Sequence, residues 1–513
     1  MTTSLAAGVL LNRTPASSED TELTITGTPA DNFPDAQRAQ FCGSSVAKST
    51  PYVQEYSLPT ECTNPLAITT DFDGNVWVAE TNTGKLAKFD PKSESFSEFD
   101  NHSWPKGGRS MMWGMDYSPD GYVWFTDERY DSLWKFSPDT QKYQRVAYPS
   151  EGNSLPQKLK VEGSQIIVND FTGNKITFLD PSQSDEKLKY LSLPSPVDNS
   201  VTADFAVDAN DNVWYTNWIL QQTGVLVKYD YASFQKSVAN SSDDSLPLFD
   251  FIDVFELPPE ILTPNGAVVS NDGKIWLADT SSSSLFSFDP DNKKFIQYVT
   301  SDPPLVTFGN STGIIRTPIS RPYWIDVDTM GRLVFNEQTA NSISVMDPKS
   351  ESLVEYYVPS KNPNWGDCGD MTNCGLAQVF DFAIDGKKIW FSEWVENNIG
   401  VVDTSKDLPL DVELGTNTIT MKAGESKNLN FVISPQTQND ISDASLVLST
   451  THDFLNITTD SPKVFQLDFD GPRSINVVIS ADEDAVPGTY KALLGVQTDP
   501  VAISKFVTIS IEP

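Results

Sequence analysis

The sequence predicts an all-β chain: a run of stacked four-stranded units, then a smaller β unit. Three observations lead there. An eight-residue phrase, DGNVWVAE (73–80), returns six times with drift: DGYVWFTD (120–127), GSQIIVND (163–170), NDNVWYTN (210–217), DGKIWLAD (272–279), MGRLVFNE (330–337) and GKKIWFSE (386–393). The closing residues of successive copies lie 47, 43, 47, 62, 58 and 56 positions apart, and a fixed phrase at such a period marks stacked supersecondary units. Second, each of the first six phrases is followed by an alternating strand: SFSEFD (95–100), YQRVAYP (143–149), KYLSLP (189–194), DVFELPP (253–259), FIQYVT (295–300) and VEYYVP (354–359). Third, from about Asp411 the period stops while short alternating strands continue to the end.

In chain order, residues 1–50 are rich in Thr, Ser, Ala, Pro and Asp with little periodicity, and read as a leader or irregular arm. Residues 51–410 carry the repeat. Each unit has an inner strand beginning near Pro65, Trp113, Pro156, Thr202, Pro264, Pro322 or Val379, a tight turn, the phrase as second strand, a third strand such as KLAKFDP (85–91) or LFSFDPD (285–291), and the outer echo. Four antiparallel strands per repeat with aromatic punctuation predict the blades of a β-propeller, seven by count of the phrase. The seventh unit lacks an outer strand after NIGVVD (398–403), and PYVQEYSLP (51–59) is an echo without a unit. The N-terminal strand is therefore expected to complete the last blade and close the ring, which protects edges an open array would expose. Residues 411–513, including VELGTNTITMKAGESKNLNFVIS (412–434), INVVIS (475–480), PGTYKALLGVQT (487–498) and SKFVTISIEP (504–513), suggest a disulfide-free immunoglobulin-like sandwich.

Across 513 residues, 36 basic side chains face 70 acidic ones, a net charge of -34. That balance argues against nucleic acid and anionic lipid, which need a cationic surface, and suits a solvated acidic surface or cationic ligands. No run approaches the ~18 apolar residues of a membrane span; LAAGVLL (5–11) is short and lacks a preceding basic region. Cys42, Cys62, Cys368 and Cys374 form no Cys-x-x-Cys pair, which argues against zinc, and allow three pairings. A link from Cys62 to Cys368 or Cys374 would staple the ring; Cys42–Cys62 with Cys368–Cys374 is the local alternative and the preferred one. Sequons begin at Asn12, Asn101, Asn240, Asn310 and Asn456. Together with acidity and cysteines they favour a secreted or surface-displayed protein.

The proline-led inner strand, the Asp-Gly-x-Val-Trp phrase and the strand ending Phe-Asp-Pro resemble the virginiamycin B lyase (streptogramin lyase) group, with NHL-type propellers as neighbours, over roughly residues 52–410. The resemblance implies a propeller, a carbon–oxygen lyase, a divalent metal, usually magnesium, and a histidine base at the mouth. The base does not carry over. The position after the leading proline, where that group often has His, holds Leu66, Trp113, Gln157, Ala203, Asn265, Tyr323 and Phe380. The two histidines are His102, in the connection between the first two units, and His452, in the C-terminal unit.

Two residue sets are candidate sites. The residue closing each phrase is Glu80, Asp127, Asp170, Asn217, Asp279, Glu337 or Glu393. A carboxylate ring, with Glu80, Asp127, Glu337 and Glu393 as ligands, could take Ca or Mg through oxygen. The preferred reading is structural, because a residue repeated in every unit serves the repeat before it serves one site. The inner-strand rim differs between units. Lys158, Asp204 and Asp381 are placed to face the channel, with Trp113, Tyr323, Trp324 and Phe380 near the same mouth and Trp218, Trp365 and Trp394 in connections on that face. Aromatics beside carboxylates suit a sugar or a cation; the competing reading is packing between blades. DFDGN (71–75) and DANDN (208–212) begin like calcium loops but carry Asn82 and Ile219 where the last glutamate belongs, so they are hairpin turns.

Three functions follow as expectations: an extracellular binding or scaffold protein that takes a surface protein, a glycan or a small cationic ligand; a metal-dependent lyase or hydrolase with a carboxylate base; or a subunit of a surface lattice or appendage. The missing histidines favour the first.

Overall fold

The computed structural model describes residues 27–105, 108–149, 152–182, 189–220, 222, 224–240, 248–304, 307 and 320–513. The fold is all-β, as expected. The repeat region builds four-strand antiparallel meanders one after another, each in sequence order. The first sheet is Pro65–Thr70, Val76–Glu80, Lys85–Asp90 and Ser95–Phe99; the second is Met115–Tyr117, Val123–Asp127, Ser132–Ser137 and Lys142–Ala147. The third runs Pro156–Glu162, Gln165–Asp170, Lys175–Leu179 and Tyr190–Pro194, and the fourth Val201–Val207, Val213–Trp218, Gly224–Tyr229 and Ile252–Glu256. The fifth is Pro264–Val269, Ile275–Asp279, Ser284–Asp289 and Lys294–Val299, and the sixth Pro322–Val327, Leu333–Glu337, Ser342–Asp347 and Ser352–Tyr357. The seventh takes Val379–Asp385, Lys388–Glu393 and Asn398–Asp403 from the end of the repeat and Val53–Ser57 from its start, with Val53 opposite Val402.

The phrase explains how neighbouring sheets adhere. Its tryptophan is buried and meets the third-strand phenylalanine of the next sheet: Trp77 with Phe136 at 5.8 Å, Trp214 with Phe288 at 6.2 Å, and Trp390 with Phe89 at 5.6 Å. The last contact joins the seventh sheet to the first. Such pairs add directional ring contact to large apolar burial, roughly 0.5–1.5 kcal/mol each beyond the area term. The Asp-rich turns are closed hairpins. Asp71 accepts from the main chain of Asp73 and Asn75 and from Trp77 Nε1 (3.0 Å), and Asp208 does the same for Asn210, Asn212 and Trp214 Nε1 (2.9 Å).

Within the span read as an irregular arm, Pro29–Asn32 and Asp35–Phe41 are short helices. Arg38 of the second ties to Asp31 of the first (3.0 Å) and pairs with Asp35 in its own helix (3.2 Å). The enlarged fourth unit spends part of its insert on a helix, Tyr231–Asn240.

After the repeat, Leu410–Leu414, Ser426–Pro435, Arg473–Ala481 and Leu455–Thr458 form one antiparallel sheet in that order. A second sheet orders Val501–Glu512, Gly488–Gln497, Ile441–Thr450 and Val464–Leu467, with Thr418–Lys422 parallel to Val501–Glu512. Inward residues of both, among them Phe431, Val477, Leu494 and Val507, share one core. The second sheet does not stop at its own edge. Val501–Glu512 pairs with Ser352–Tyr357, the outer strand of the sixth sheet, so one sheet of nine strands crosses from repeat to C-terminal unit. The junction is reinforced by Gln497 Nε2 donating to the Tyr357 hydroxyl (2.7 Å) and by an ion pair between Lys491 and Glu351. The sequence carries no direct sign of this junction, because pairing to a foreign edge needs no motif beyond a strand.

Candidate functional site: the mouth of the inner strands

The rim residues owe their placement to a bulge. In six sheets the pairing between first and second strand slips near the start of the inner strand, between Pro65 and Ile68, Pro156 and Leu159, Thr202 and Phe205, Pro264 and Gly266, Pro322 and Ile325, and Val379 and Phe382. A bulge re-aims the side chains it contains. Those positions hold Leu66, Gln157, Lys158, Asp204, Asn265, Tyr323, Trp324, Phe380 and Asp381. In the second sheet the ladder begins only at Met115, so Trp113 precedes it.

The structure brings most of the predicted rim together. Lys158 Nζ sits 2.7 Å from Asp204 Oδ2, and the Asp204 side chain is fully buried. Asp204 also accepts from the main-chain N–H of Phe205 (2.7 Å) and of Ala267 in the next sheet (3.0 Å). Asp381 repeats this at the seventh sheet, accepting from Phe382 (2.8 Å) and from Ile68 of the first sheet (2.9 Å). Burial pushes both carboxyls up, while their hydrogen-bond donors and Lys158 pull them down. These carboxylates thus lace neighbouring inner strands.

The centre is filled by the chain itself. Gln157 Nε2 of the third sheet donates to the Tyr323 hydroxyl of the sixth at 2.8 Å. Phe380 packs against Trp113 (5.6 Å), Tyr323 (6.4 Å) and Trp394 (5.4 Å), and Tyr323 stacks on Trp324 at 5.5 Å. Trp113 Nε1 donates to Glu128 (2.9 Å). Trp218 is buried at the end of its strand, against Phe171.

Above this cluster lies the N-terminal arm. Phe41 packs edge-on to Trp365 (5.9 Å) and Trp394 (5.5 Å) and stacks on Phe33, which is covered by Arg109. Side chains of the repeat region capture the arm's main-chain carbonyls: Asn82 takes Pro29, Asn364 takes Ala39, Trp365 takes Gln40 and Asn64 takes Phe41. Cys42–Cys62 ties the arm to the first sheet, and Cys368–Cys374 closes the loop that carries Trp365. The pairing is therefore the local one. Sequence reasoning missed Phe33, Asn64, Asn82 and Asn364, whose part in anchoring the arm no spacing or motif records.

The acids closing the phrase are all buried and are not brought together; each turns into its own sheet and the adjoining connections. Asp127 accepts from Ser110 Oγ (2.5 Å) and Trp134 Nε1 (3.0 Å); Asp170 from the N–H of Leu155 (2.7 Å) and Gly173 (2.8 Å); Asp279 from the N–H of Leu262, Thr263 and Ser282. Asn217 donates to Thr202 Oγ1 (2.8 Å). Glu80 accepts from Thr83, Glu337 from Ser342 and Ser344, and Glu393 from Asn398.

With this geometry the chain can be set beside known proteins. It matches no protein-family model and no curated protein sequence. Among solved structures it is similar to virginiamycin B lyase from Staphylococcus aureus, at 18% identity and a TM-score of 0.51, over 68% of this chain and 98% of that one. A catalytically inactive variant of that lyase with quinupristin gives the same values. A streptogramin B lyase structure matches at 19% identity and a TM-score of 0.51, over 68% of this chain and 96% of the other.

The repeat region is a β-propeller.

The likeness carries the propeller fold and nothing finer. The propeller's inner strands bear no histidine. His102 is exposed in a turn, and His452 packs on Phe454 and Tyr490 in the C-terminal unit, where burial lowers its pKa. The residues do not fit the divalent metal that the lyase resemblance implies. The phrase acids are buried in separate sheets, and among the described residues no group of three or more His, Cys, Asp or Glu is placed to hold a metal ion. Of the sequons, Asn12 and Asn310 lie outside the described residues. Asn101 is buried, its amide nitrogen included, whereas Asn456 is exposed on a strand. Among the described residues no helix is long and apolar enough to cross a membrane.

Proposed function

We propose that this chain is an extracellular or cell-surface binding or scaffold protein: a seven-bladed propeller over 51–410, closed by its N-terminal strand, joined to an immunoglobulin-like sandwich over 411–513. The observation that carries this reading is the filled mouth. The place where a propeller enzyme would hold substrate is bridged by Gln157 and Tyr323, packed with Trp113, Phe380 and Trp394, and covered by the arm through Phe41. General-base chemistry near neutral pH relies most often on His, and the inner strands carry none. Two disulfides in a chain of this acidity fit an oxidising compartment. Partners of matching chemistry are a surface protein, a glycan or a small cationic ligand.

The test is a ring-opening assay: purified chain, a cyclic depsipeptide of the virginiamycin B class, and Mg²⁺. No product is expected. Turnover that disappears in Glu337→Gln or Glu393→Gln would replace this reading with that of a metal-dependent lyase or hydrolase.

A second reading, a subunit of a surface lattice or appendage, draws on the nine-stranded sheet that fuses propeller and C-terminal unit into a continuous edge-to-edge body. Light scattering distinguishes it. A monomer at all salt and calcium levels supports the free binding protein, and concentration-dependent growth supports the lattice.

A further inference from the structure

Three of the seven phrases close on Glu rather than on Asp or Asn: Glu80, Glu337 and Glu393. The strand register shows what stands across from them. In the sixth sheet Glu337 faces Ser342, and two residues on, Ser344 faces Glu355 of the outer strand. In the seventh, Glu393 faces Asn398, and Gly400 faces Glu55. In the first, Glu80 faces Lys85, and Ala87 faces Glu98. Each phrase glutamate is thus partnered by an outer-strand glutamate, with a small residue between them: Ser344, Gly400 or Ala87. A Cβ at Gly400 would already lie 2.1 Å from the Phe391 ring. The other four sheets have neither feature. Their corresponding pairs are Trp134 and Arg145, Thr177 and Ser192, Val227 and Val254, and Phe286 and Gln297.

The outer glutamates have a second task. Glu98 accepts from Thr60 N–H (2.9 Å) and Oγ1 (2.6 Å), Glu55 from Ser360 N–H (2.9 Å) and Oγ (2.6 Å), and Glu355 from Ser301 N–H (3.2 Å) and its hydroxyl. Thr60, Ser301 and Ser360 lie just past the outer strands of the seventh, fifth and sixth sheets. Each glutamate therefore holds the exit of the preceding sheet, around the seam where the ring closes and the C-terminal unit docks. One oxygen of each phrase glutamate, Oε1 of Glu80, Glu337 and Glu393, is fully buried and has no hydrogen-bond donor.

We propose that each Glu–Glu pair binds one proton, shared between its two carboxyl groups, and that the loaded pairs are acid-fastened clasps on the seam of the propeller. The unpartnered oxygen is then one end of an O–H···O bond. Two adjacent carboxylates in a dry site cannot both ionise without large cost, whereas the singly protonated pair carries one charge, which the Ser, Thr or Asn donors already solvate. Charged and titratable neighbours differ from pair to pair. Tyr357 faces the sixth-sheet pair and Glu396 the seventh-sheet pair, and among the described residues no Lys or Arg forms an ion pair with Glu55, Glu337, Glu355 or Glu393. At the first-sheet pair Lys85, itself bridged to Asp100, approaches Glu98 to 3.5 Å, and Tyr143 is close to Glu80. Burial raises Glu55, Glu337, Glu355 and Glu393 above the usual carboxyl range and Glu80 to about 8. A group raised on folding stabilises fully below its unfolded value, ~4.3 for Glu, and loses that contribution as pH rises through the folded value. The clasps hold in acid and release toward alkaline pH.

The test is thermal unfolding of the full chain from about pH 6 to pH 9, wild type beside Glu337→Gln, Glu393→Gln and the double variant. Glutamine donates an N–H where the shared proton sits. The wild-type Tm is expected to fall as pH rises, and each glutamine to flatten that fall and to leave the variant above wild type at the alkaline end. A wild-type Tm unchanged over this range, or variants that fall in parallel with it, overturns the proposal. So does a calcium-induced rise in wild-type Tm that the variants lose, because the pairs would then be cation sites. Infrared spectra give a readout independent of unfolding. A protonated-carboxyl carbonyl band should persist at neutral pH and shrink in each variant; its absence from wild type also overturns the proposal.

Discussion

The second, third and fifth sheets and the three seam sheets use the same position of the same phrase in opposite ways. In the former the closing acid is an aspartate, short enough to stay beside fixed donors: Trp134 for Asp127, the N–H of Leu155 and Gly173 for Asp170, and three backbone N–H groups for Asp279. In the latter it is a glutamate, one methylene longer, whose carboxyl passes over a small residue to meet another acid. A repeated acid is therefore not one feature. A single CH₂ separates a carboxylate that anchors its own turn from one that needs a proton or a partner.

This contrast predicts a graded series. The largest effect belongs to acids with fixed donors. Lys158→Met leaves Asp204 buried without its cation and should cost about 3–5 kcal/mol near neutral pH; denaturant unfolding should show the loss shrinking in acid as Asp204 takes up a proton. Asp279→Ala strands three backbone N–H groups and should cost about 3 kcal/mol near neutral pH. Opening the arm by Cys42→Ser with Cys62→Ser should cost about 3 kcal/mol, from a closed loop of similar length to the usual reference, and should raise protease cleavage near residues 27–50. Glu337→Gln should move stability by about 1 kcal/mol or less near neutral pH, with its effect concentrated at alkaline pH. Smallest of all, glycan occupancy in a glycosylating host should be found by mass spectrometry at Asn456 and not at Asn101, whose amide is buried, with no measurable change in unfolding. If Asp279→Ala and Glu337→Gln gave the same pH-independent loss, the distinction between the two kinds of acid would be void.

Much of the fold was legible because it rests on local periodicity. The phrase, its turn and the Phe-Asp-Pro strand each record a contact: Trp77 with Asp71 inside the turn, and Trp390 with Phe89 between sheets. The strand at 52–58 was legible as an echo without a unit. Its partner pairing was not local, but the vacancy after 403 left one place for it. At the site, sequence singled out Lys158, Asp204, Asp381, Trp113 and Tyr323 by their individuality, and they do gather at the inner strands. What they do there was hidden. Asp204 and Asp381 differ from their counterparts because they lace two sheets, and Tyr323 because it spans to Gln157; neither fact is written in spacing. The glutamates Glu55, Glu98 and Glu355 stood in plain view in the echoes VQEYS, SFSEF and LVEYY, but their meaning needs the register that sets them two strands away from the phrase. The edge offered by Ser352–Tyr357 to Val501–Glu512 left no trace in composition or period, because any strand can add to a free edge.

We propose that the phrase acids serve the construction of the sheets rather than a metal centre. Calorimetric titration of the folded chain with Mg²⁺ and with Ca²⁺ near neutral pH tests it most directly. No saturable heat is expected in wild type. A saturable isotherm near one ion per chain that vanishes in Glu337→Gln or Glu393→Gln would contradict it.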